Sequence, residues 1–393
     1  MRKNKEFKNF KNFLKYPIFK FFCLIGKSVE NFLNKKICKD KISKILIYQT
    51  GGIGDILRIF PAIEVLKNNF PNASFTLLTG YGKELYNLLP DSNFISDYII
   101  ERQYRGFLKK LLLIYRLRKK SFDLIFAPAR GSGMIEDNII VTLIGAPYRI
   151  GFKKNGAGFL NTLKVEFKEN QSILKQNLEL LKKAGLVVHI TNIHLTLKKE
   201  DEIFISNFLN KYNINSEKII TIHLSSYYWN NIRSWPLDNF INLIYQIINH
   251  FQNLRIIILG SKDEIFIKKQ INEKIKHPKV INIIGQTTLS QMSAIIKYSH
   301  LFIGNDSGPL HIARAFKIPS IGIFGPTSPK QVISDWENFI PVQKKLPCVP
   351  CYLHQPFFKP KCKEPLCLTS LSVDEVWTAV ETMLKKVICL NMT

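Results

Sequence analysis

The sequence predicts an α/β chain built from two doubly wound domains that face each other across a cleft. Short apolar runs alternate with helical patterns over 44–150, and the same alternation returns over 219–325 with short turns throughout. A strand followed by a helix before the next strand pairs in parallel, and a parallel sheet needs cover on both faces. At 393 residues the chain is long enough to bury two cores, and 46% hydrophobic with 12% aromatic residues is a globular composition.

The first element is a leader, 1–43, in which lysines interleave with Phe7, Phe10, Phe13, Tyr16, Phe19, Phe21 and Phe22. The formal net charge is +26, and residues 1–44 carry 13 Lys and Arg against 3 Asp and Glu. Such an excess implies an anionic partner surface. Lys15, Lys20 and Lys27 keep every apolar run below the roughly 18 residues that span a bilayer. Lys20 also breaks the 18–25 stretch that a cleavable signal peptide would need. Phe10, Phe13 and Phe21 are expected on one face of an interfacial helix, with lysines reaching acidic lipid head groups. The plain alternative is a lysine-rich leader with no specific partner. No nucleic-acid-binding motif accounts for the charge, so no nucleic-acid partner is expected.

The first domain spans 44–185, with strands expected at 44–48, 74–79, 98–100, 123–127 and 148–151 and helices at 55–69 and 106–119. Its opening strand runs into Gly51-Gly52-Ile53-Gly54-Asp55. A dinucleotide fingerprint would need glycine where Leu57 stands and an acid at the end of the second strand, where the chain ends in Thr79. Nicotinamide chemistry is therefore disfavoured. What remains is a tight turn that places Asp55 at a helix start facing the cleft, either as a general base or only as a first-turn acid favoured by the helix dipole.

Residues 169–218 are mostly helical and charged in pattern, and 186–218 form the connecting segment between the domains. The second domain, 219–371, has strands expected at 219–224, 255–260, 280–285, 301–304 and 320–324, and a last helix follows within 372–393. After the fourth of these strands comes Gly304-Asn305-Asp306-Ser307-Gly308-Pro309-Leu310-His311. Asn305, Asp306 and Ser307 are natural N-caps, and Pro309 sits in the first turn, where its missing N–H does no harm. A helix starting at the carboxyl end of a buried parallel strand aims N–H groups and its positive dipole end at the crevice, a seat for phosphate or diphosphate. Gly308 allows close approach, and His311 adds a donor one turn on. Taken alone, the segment also reads as an ordinary capped helix.

Cys23, Cys38 and Cys389 stand apart, while Cys348, Cys351, Cys362 and Cys367 form C-x2-C-x10-C-x4-C in a loop rich in Pro and Lys. That set would hold a tetrahedral structural zinc, or pack the loop as four reduced thiols; with no secretory signal, stable disulfides are not expected.

Taken together, Gly54-Asp55, His223-Leu224-Ser225-Ser226 followed by Arg233-Ser234-Trp235-Pro236, the segment Gly260 to Glu264, Asn305 to His311 and Phe324-Gly325-Pro326-Thr327 resemble glycosyltransferase family 9. These are the heptosyltransferases that build the inner core of lipopolysaccharide. Arg149-Ile150-Gly151-Phe152 and Gln176 to Leu181 resemble the family's middle region; the likeness covers roughly 44–390 and leaves the leader outside. It implies a GT-B fold of two Rossmann-like domains, a nucleotide-activated sugar donor (typically ADP-heptose), an inverting mechanism and no catalytic metal. The implied acceptor is the lipopolysaccharide core, reached at the cytoplasmic face of the membrane by a peripheral enzyme.

The resemblance assigns Asp55 as the base that deprotonates the acceptor and Ser225 and Ser226 as contacts of the donor phosphates. Arg233, where the family usually has lysine, stabilises the leaving group, since a guanidinium grips a diphosphate through two hydrogen bonds. Glu264 is assigned to the donor ribose and Thr287 or Thr288 to the adenine side. Asp306, Ser307, Gly308 and His311 correspond to the loop at the diphosphate and sugar. Trp235-Pro236 is expected only to shape and pack a helix start, and Glu264 and His223 each have a purely structural alternative.

Arg58 stands where better-known heptosyltransferases often have histidine, and the Tyr-Tyr-Trp-Asn-Asn-Ile loop before Arg233 is longer and more aromatic than expected. A different nucleotide sugar therefore stays open as donor. Two other classes also stay open, a nucleotide-sugar enzyme such as an epimerase and a non-catalytic binding protein on a membrane surface. The placement of Asp55 and Arg233 on opposite domains favours transfer.

Overall fold

The computed structural model describes residues 37–389 except 91, 129–133, 155–157, 191, 226–231, 334–335, 352–361 and 363. The leader expectation lies almost wholly outside the described residues. Among them, no helix is long and apolar enough to cross a membrane.

Two six-stranded, all-parallel sheets organise the chain. The first holds β1 (Lys44–Gln49), β2 (Ser74–Thr79), β3 (Ile95–Ile100), β4 (Leu124–Ala127), β5 (Tyr148–Lys153) and β6 (Leu163–Glu166) in the order β3-β2-β1-β4-β5-β6. Its helices are α1 (Ile53–Leu57), α2 (Phe60–Asn69), α3 (Phe107–Lys119), α4 (Met134–Ile144) and α5 (Ile173–Lys183). The expected single helix 55–69 is two. The second starts afresh at Phe60 with Pro61 in its first turn, where the missing N–H can make no bond back to the Leu57 carbonyl.

Helix α6 (Lys199–Lys211) leads into the second sheet, β7 (Lys218–His223), β8 (Leu254–Leu259), β9 (Val280–Asn282), β10 (Leu301–Asn305), β11 (Ser320–Phe324) and β12 (Phe339–Gln343). Its order, β12-β11-β10-β7-β8-β9, repeats the plan of the first. Around it lie α7 (Leu237–His250), α8 (Ile265–Lys274), α9 (Leu289–Lys297), α10 (Gly308–Ala315), α11 (Pro329–Val332), α12 (Leu366–Thr369) and α13 (Val373–Cys389). Helix α13 buries Val376, Val380, Met383 and Leu384 in the second domain's core.

The expected connection is only partly helical. Helix α5 buries Ile173, Leu174, Leu180 and Leu181 within the first domain, and the described residues of 186–198 form neither helix nor strand. Asn69 pins this stretch by exchanging two hydrogen bonds with the Val187 backbone, at 2.8 and 3.0 Å. The central strands β1, β7, β8, β10 and β11 are buried almost throughout, and one apolar cluster runs from Ile45 and Ile56 to Leu310, Ile312 and Phe324, joining both domains. In each sheet the order reverses between the first and fourth strands, so both crevices open on the same side as the loops that carry the motifs.

Candidate functional site

A cleft of about 950 Å³ separates the carboxyl ends of the two sheets, and Asp55, Ser225, Arg233, Glu264, Thr287, Asp306, Ser307, Gly308 and His311 all line it. Ser226 lies outside the described residues. Residues distant in sequence are thus gathered as the motifs implied.

On the first domain, β1 ends at buried Gln49, whose side chain accepts from the Gly51 N–H at 3.2 Å and fixes the turn. A Cβ at Gly51 would fall 2.6 Å from the Asp55 carboxylate, so glycine there lets that carboxylate fold back over the turn. Asp55 Oδ2 accepts from the Gly52 N–H at 2.9 Å, and Oδ1 pairs with the Arg58 guanidinium one turn on. Arg58 is buried, and its Nε also donates to the Gly54 carbonyl at 3.2 Å. The arginine at the unexpected position therefore orients the candidate base and brings a cation to the cleft floor.

On the second domain, Ser307 is the N-cap of α10, yet its hydroxyl makes no capping bond and meets His223 Nδ1 at 3.1 Å instead. The first turn of α10 consequently keeps its amide donors uncapped by that side chain, facing the cleft. Asn305 does not cap either: it accepts from the Trp235 N–H at 2.9 Å and donates to the Leu224 carbonyl at 3.0 Å, tying β10 to the two loops beside it. Asp306, completely buried, pairs with Arg233, accepts from the Thr327 hydroxyl at 2.7 Å, and offers its backbone carbonyl to Arg233 Nη2 at 2.8 Å. Burial pushes the Asp306 carboxyl up, but Arg233, His311, Thr327 and Arg58 outweigh it and hold it below the usual carboxylate range. A carboxylate so engaged orients the guanidinium and presents no free charge to a phosphate. Trp235 packs on Phe240 and donates to the Leu371 carbonyl at 2.9 Å, the structural part expected of it.

Glu264 sits at the next corner of the cleft. Oε1 accepts from the Ser225 hydroxyl and lies 3.4 Å from His223 Nε2, and Oε2 caps the turn through the Ser261 N–H at 2.5 Å. Burial raises this carboxyl, but the His223 charge and hydrogen bond, helped by Ser261, bring it down to about 2. Ser307, His223, Glu264 and Ser225 thus form one connected polar wall. Thr288 is committed to capping α9, accepting from Gln291 N at 3.2 Å, whereas Thr287 Oγ1 is buried with no protein partner. Of the two threonines, Thr287 is the one a ligand could satisfy.

The two halves touch where the helix starts meet. A Cβ on Gly54 would lie 2.3 Å from His311 Cδ2, and one on Gly308 would lie 2.9 Å from the Ile53 Cβ, so each glycine admits the opposite domain. Burial first, then Arg58, lower the His311 imidazole to about 3 against the opposing Asp306 and Asp55 carboxylates. It is neutral at pH 7, and its Nδ1 is buried without a partner.

Sequence reasoning missed the linking roles of Arg58, His223 and Thr327. Only Arg58, three residues after Asp55 on the same helix start, left a readable signal. In the cysteine loop, Cys367 is buried and its thiol is pushed up to about 11 by burial and by the nearby Cys351, Cys362 and Cys348. The four are neighbours, although among the described residues no group of three or more ligands is drawn close enough to hold a metal ion.

A family model described as glycosyltransferase family 9 (heptosyltransferase) matches residues 111–364. Lipooligosaccharide heptosyltransferase 2 of Campylobacter jejuni serotype O:2 is 26% identical over 352 residues, 87% of this chain and 98% of that protein. Lipopolysaccharide heptosyltransferase 3 of Escherichia coli K12 is 23% identical, covering 70% of this chain and 80% of its own. Among solved structures, ADP-heptose lps heptosyltransferase II of E. coli superposes with a TM-score of 0.64 at 16% identity, covering 87% of this chain and 99% of its own. A family 9 glycosyl transferase from Veillonella parvula gives 0.67 at 16% identity, covering 88% and 97%.

Proposed function

The chain belongs to glycosyltransferase family 9, the heptosyltransferases of the lipopolysaccharide core, and from that membership we propose that it moves a heptose from ADP-heptose to the lipopolysaccharide inner core by an inverting, metal-independent displacement. In this reading 44–185 is the acceptor-side domain and 219–371 binds the donor. The acceptor hydroxyl oxygen attacks the anomeric carbon, its proton passes to the Asp55 carboxylate, and the bond to the diphosphate breaks with its electron pair leaving on ADP. A single displacement inverts the anomeric centre. Arg233 and the uncapped amides at Ser307–Gly308 stabilise the charge that grows on the departing diphosphate, the part a divalent cation plays elsewhere. Ser225 and Ser226 serve the phosphates, Glu264 the ribose, Thr287 the adenine side and His311 the sugar end.

One observation carries the reading: the helix start bearing Asp55 and the helix start bearing Ser307–Gly308 meet across the cleft, Gly54 against His311. A proton acceptor and an anion seat therefore flank one small space. Incubation with ADP-heptose and a heptose-deficient core should give a product heavier by one heptosyl unit. Isomerised nucleotide sugar without acceptor would replace this reading with an epimerase.

A further inference from the structure

Helix α3 is apolar on two opposite faces. Leu113 and Leu117 anchor it in the first domain, while Phe107, Leu108, Leu111, Leu112 and Tyr115 stand 45–79% exposed on the other side. At 100° per residue those five fall within one stripe of a helix, and Ile139 and Leu143, exposed on the adjacent α4, extend it. Contiguous exposed apolar surface of this kind marks an interaction site. The charge around it is one-sided: residues 102–120 carry eight Lys and Arg and no Asp or Glu. Two of the eight are paired, Lys110 with Glu136 and Lys120 with Asp97. Arg102, Lys110 and Glu136 also line the cleft, so the stripe begins at the rim of the site.

We propose that the exposed face of α3, with the edge of α4, docks on an anionic lipid bilayer and holds the mouth of the cleft at the membrane surface. Apolar side chains framed by basic ones match the boundary between acyl chains and acidic head groups, and do not match an acidic protein surface that would leave five large apolar groups in contact with charge. That the bilayer also presents the acceptor rests on the proposed function; the docking itself does not. The α3 stripe, 107–115, lies outside the leader, 1–43, in sequence.

The test compares the full chain with its Phe107→Glu/Leu108→Glu/Leu111→Glu variant, leader intact in both, in sedimentation with vesicles of phosphatidylcholine with and without phosphatidylglycerol. The wild type should bind the anionic vesicles, less tightly as salt rises, and the variant should bind at least roughly tenfold more weakly. Should that variant fail to fold, Lys109→Glu/Lys119→Glu should weaken anionic binding in the same direction. Equal binding by wild type and variant overturns the proposal and leaves the leader as the anchor. A wild-type dimer that the substitutions split, with vesicle binding unchanged, overturns it in favour of a second copy on the stripe. The variant should keep its rate on a soluble core oligosaccharide and lose rate on vesicle-borne acceptor. If no transfer is seen with either protein, the proposed function fails while the vesicle comparison still decides the docking.

Discussion

Replacing Gly54 with alanine tests whether the two helix starts set the chemistry. Gly54 is not among the residues with positive φ, and alanine is the better helix former by about 1 kcal/mol, so the local backbone favours the change. Across the domain junction it does not. The new methyl would lie 2.3 Å from His311 Cδ2 and 2.6 Å from Nε2, about 1.1 Å short of ordinary contact at 3.4 Å. His311 is buried with Asp306 and Arg58 close by, so relief comes by moving α10 away from α1. A displacement of about 1 Å between base and leaving-group seat costs on the order of 100-fold in rate. Steady-state kcat/KM should fall by that order while the thermal midpoint changes little. The same Gly54→Ala change made in a His311→Ala background should cost less than about threefold, because the ring it strikes is gone and the two effects cease to be independent. Gly54→Ala at wild-type rate, or an equal loss in both backgrounds, would refute the argument.

Asp55→Asn should fold normally and lose roughly 10²–10⁴-fold in transfer with donor affinity unchanged, read by single-turnover mass spectrometry and ADP titration. Arg233→Ala should weaken ADP binding in calorimetry and slow transfer, whereas EDTA should leave the wild-type rate intact; a strict need for a divalent ion would contradict the arrangement. Folding stability should fall with acid in two stages. The folded His311 imidazole, at about 3, binds its proton less readily than the unfolded one at 6.5, so stability is complete above pH 6.5 and drops by about 1.4 kcal/mol per pH unit below it. Glu264, brought from 4.5 to about 2, adds a second loss below pH 4.5. His311→Gln should reduce the first stage and spare the second in urea melts at pH 6 and 5, leaving the part due to His300, which burial also lowers.

Where an element is buried on both faces its sequence announces it. The runs at 74–79 and 320–324 coincide with β2 and β11 because all but one of their residues are buried. Of the four edge strands, β6 and β12 were not foreseen. Strand β6, Leu-Lys-Val-Glu, is only half covered, and β12 contains Pro341, a residue that a central strand would reject but an edge strand tolerates. The candidate site was legible where a turn residue had to be glycine, as at Gly51 and Gly308. It was illegible wherever the partner lay far along the chain: nothing local to Arg233 names Asp306, 73 residues away, or assigns Ser307 to His223 and not to its own helix.

The pairing of Arg233 with Asp306 bears on how the reaction ends. A guanidinium whose counter-charge is already built into the protein offers direction and donors to a diphosphate, but little net positive charge. It can meet the charge that develops as the sugar departs without clamping the nucleotide afterwards. Were the carboxylate missing, the same arginine would hold ADP more tightly, and the spent nucleotide would occupy the cleft against the next donor. On the proposed transfer, Asp306 would thereby favour release of the spent nucleotide and limit inhibition by it.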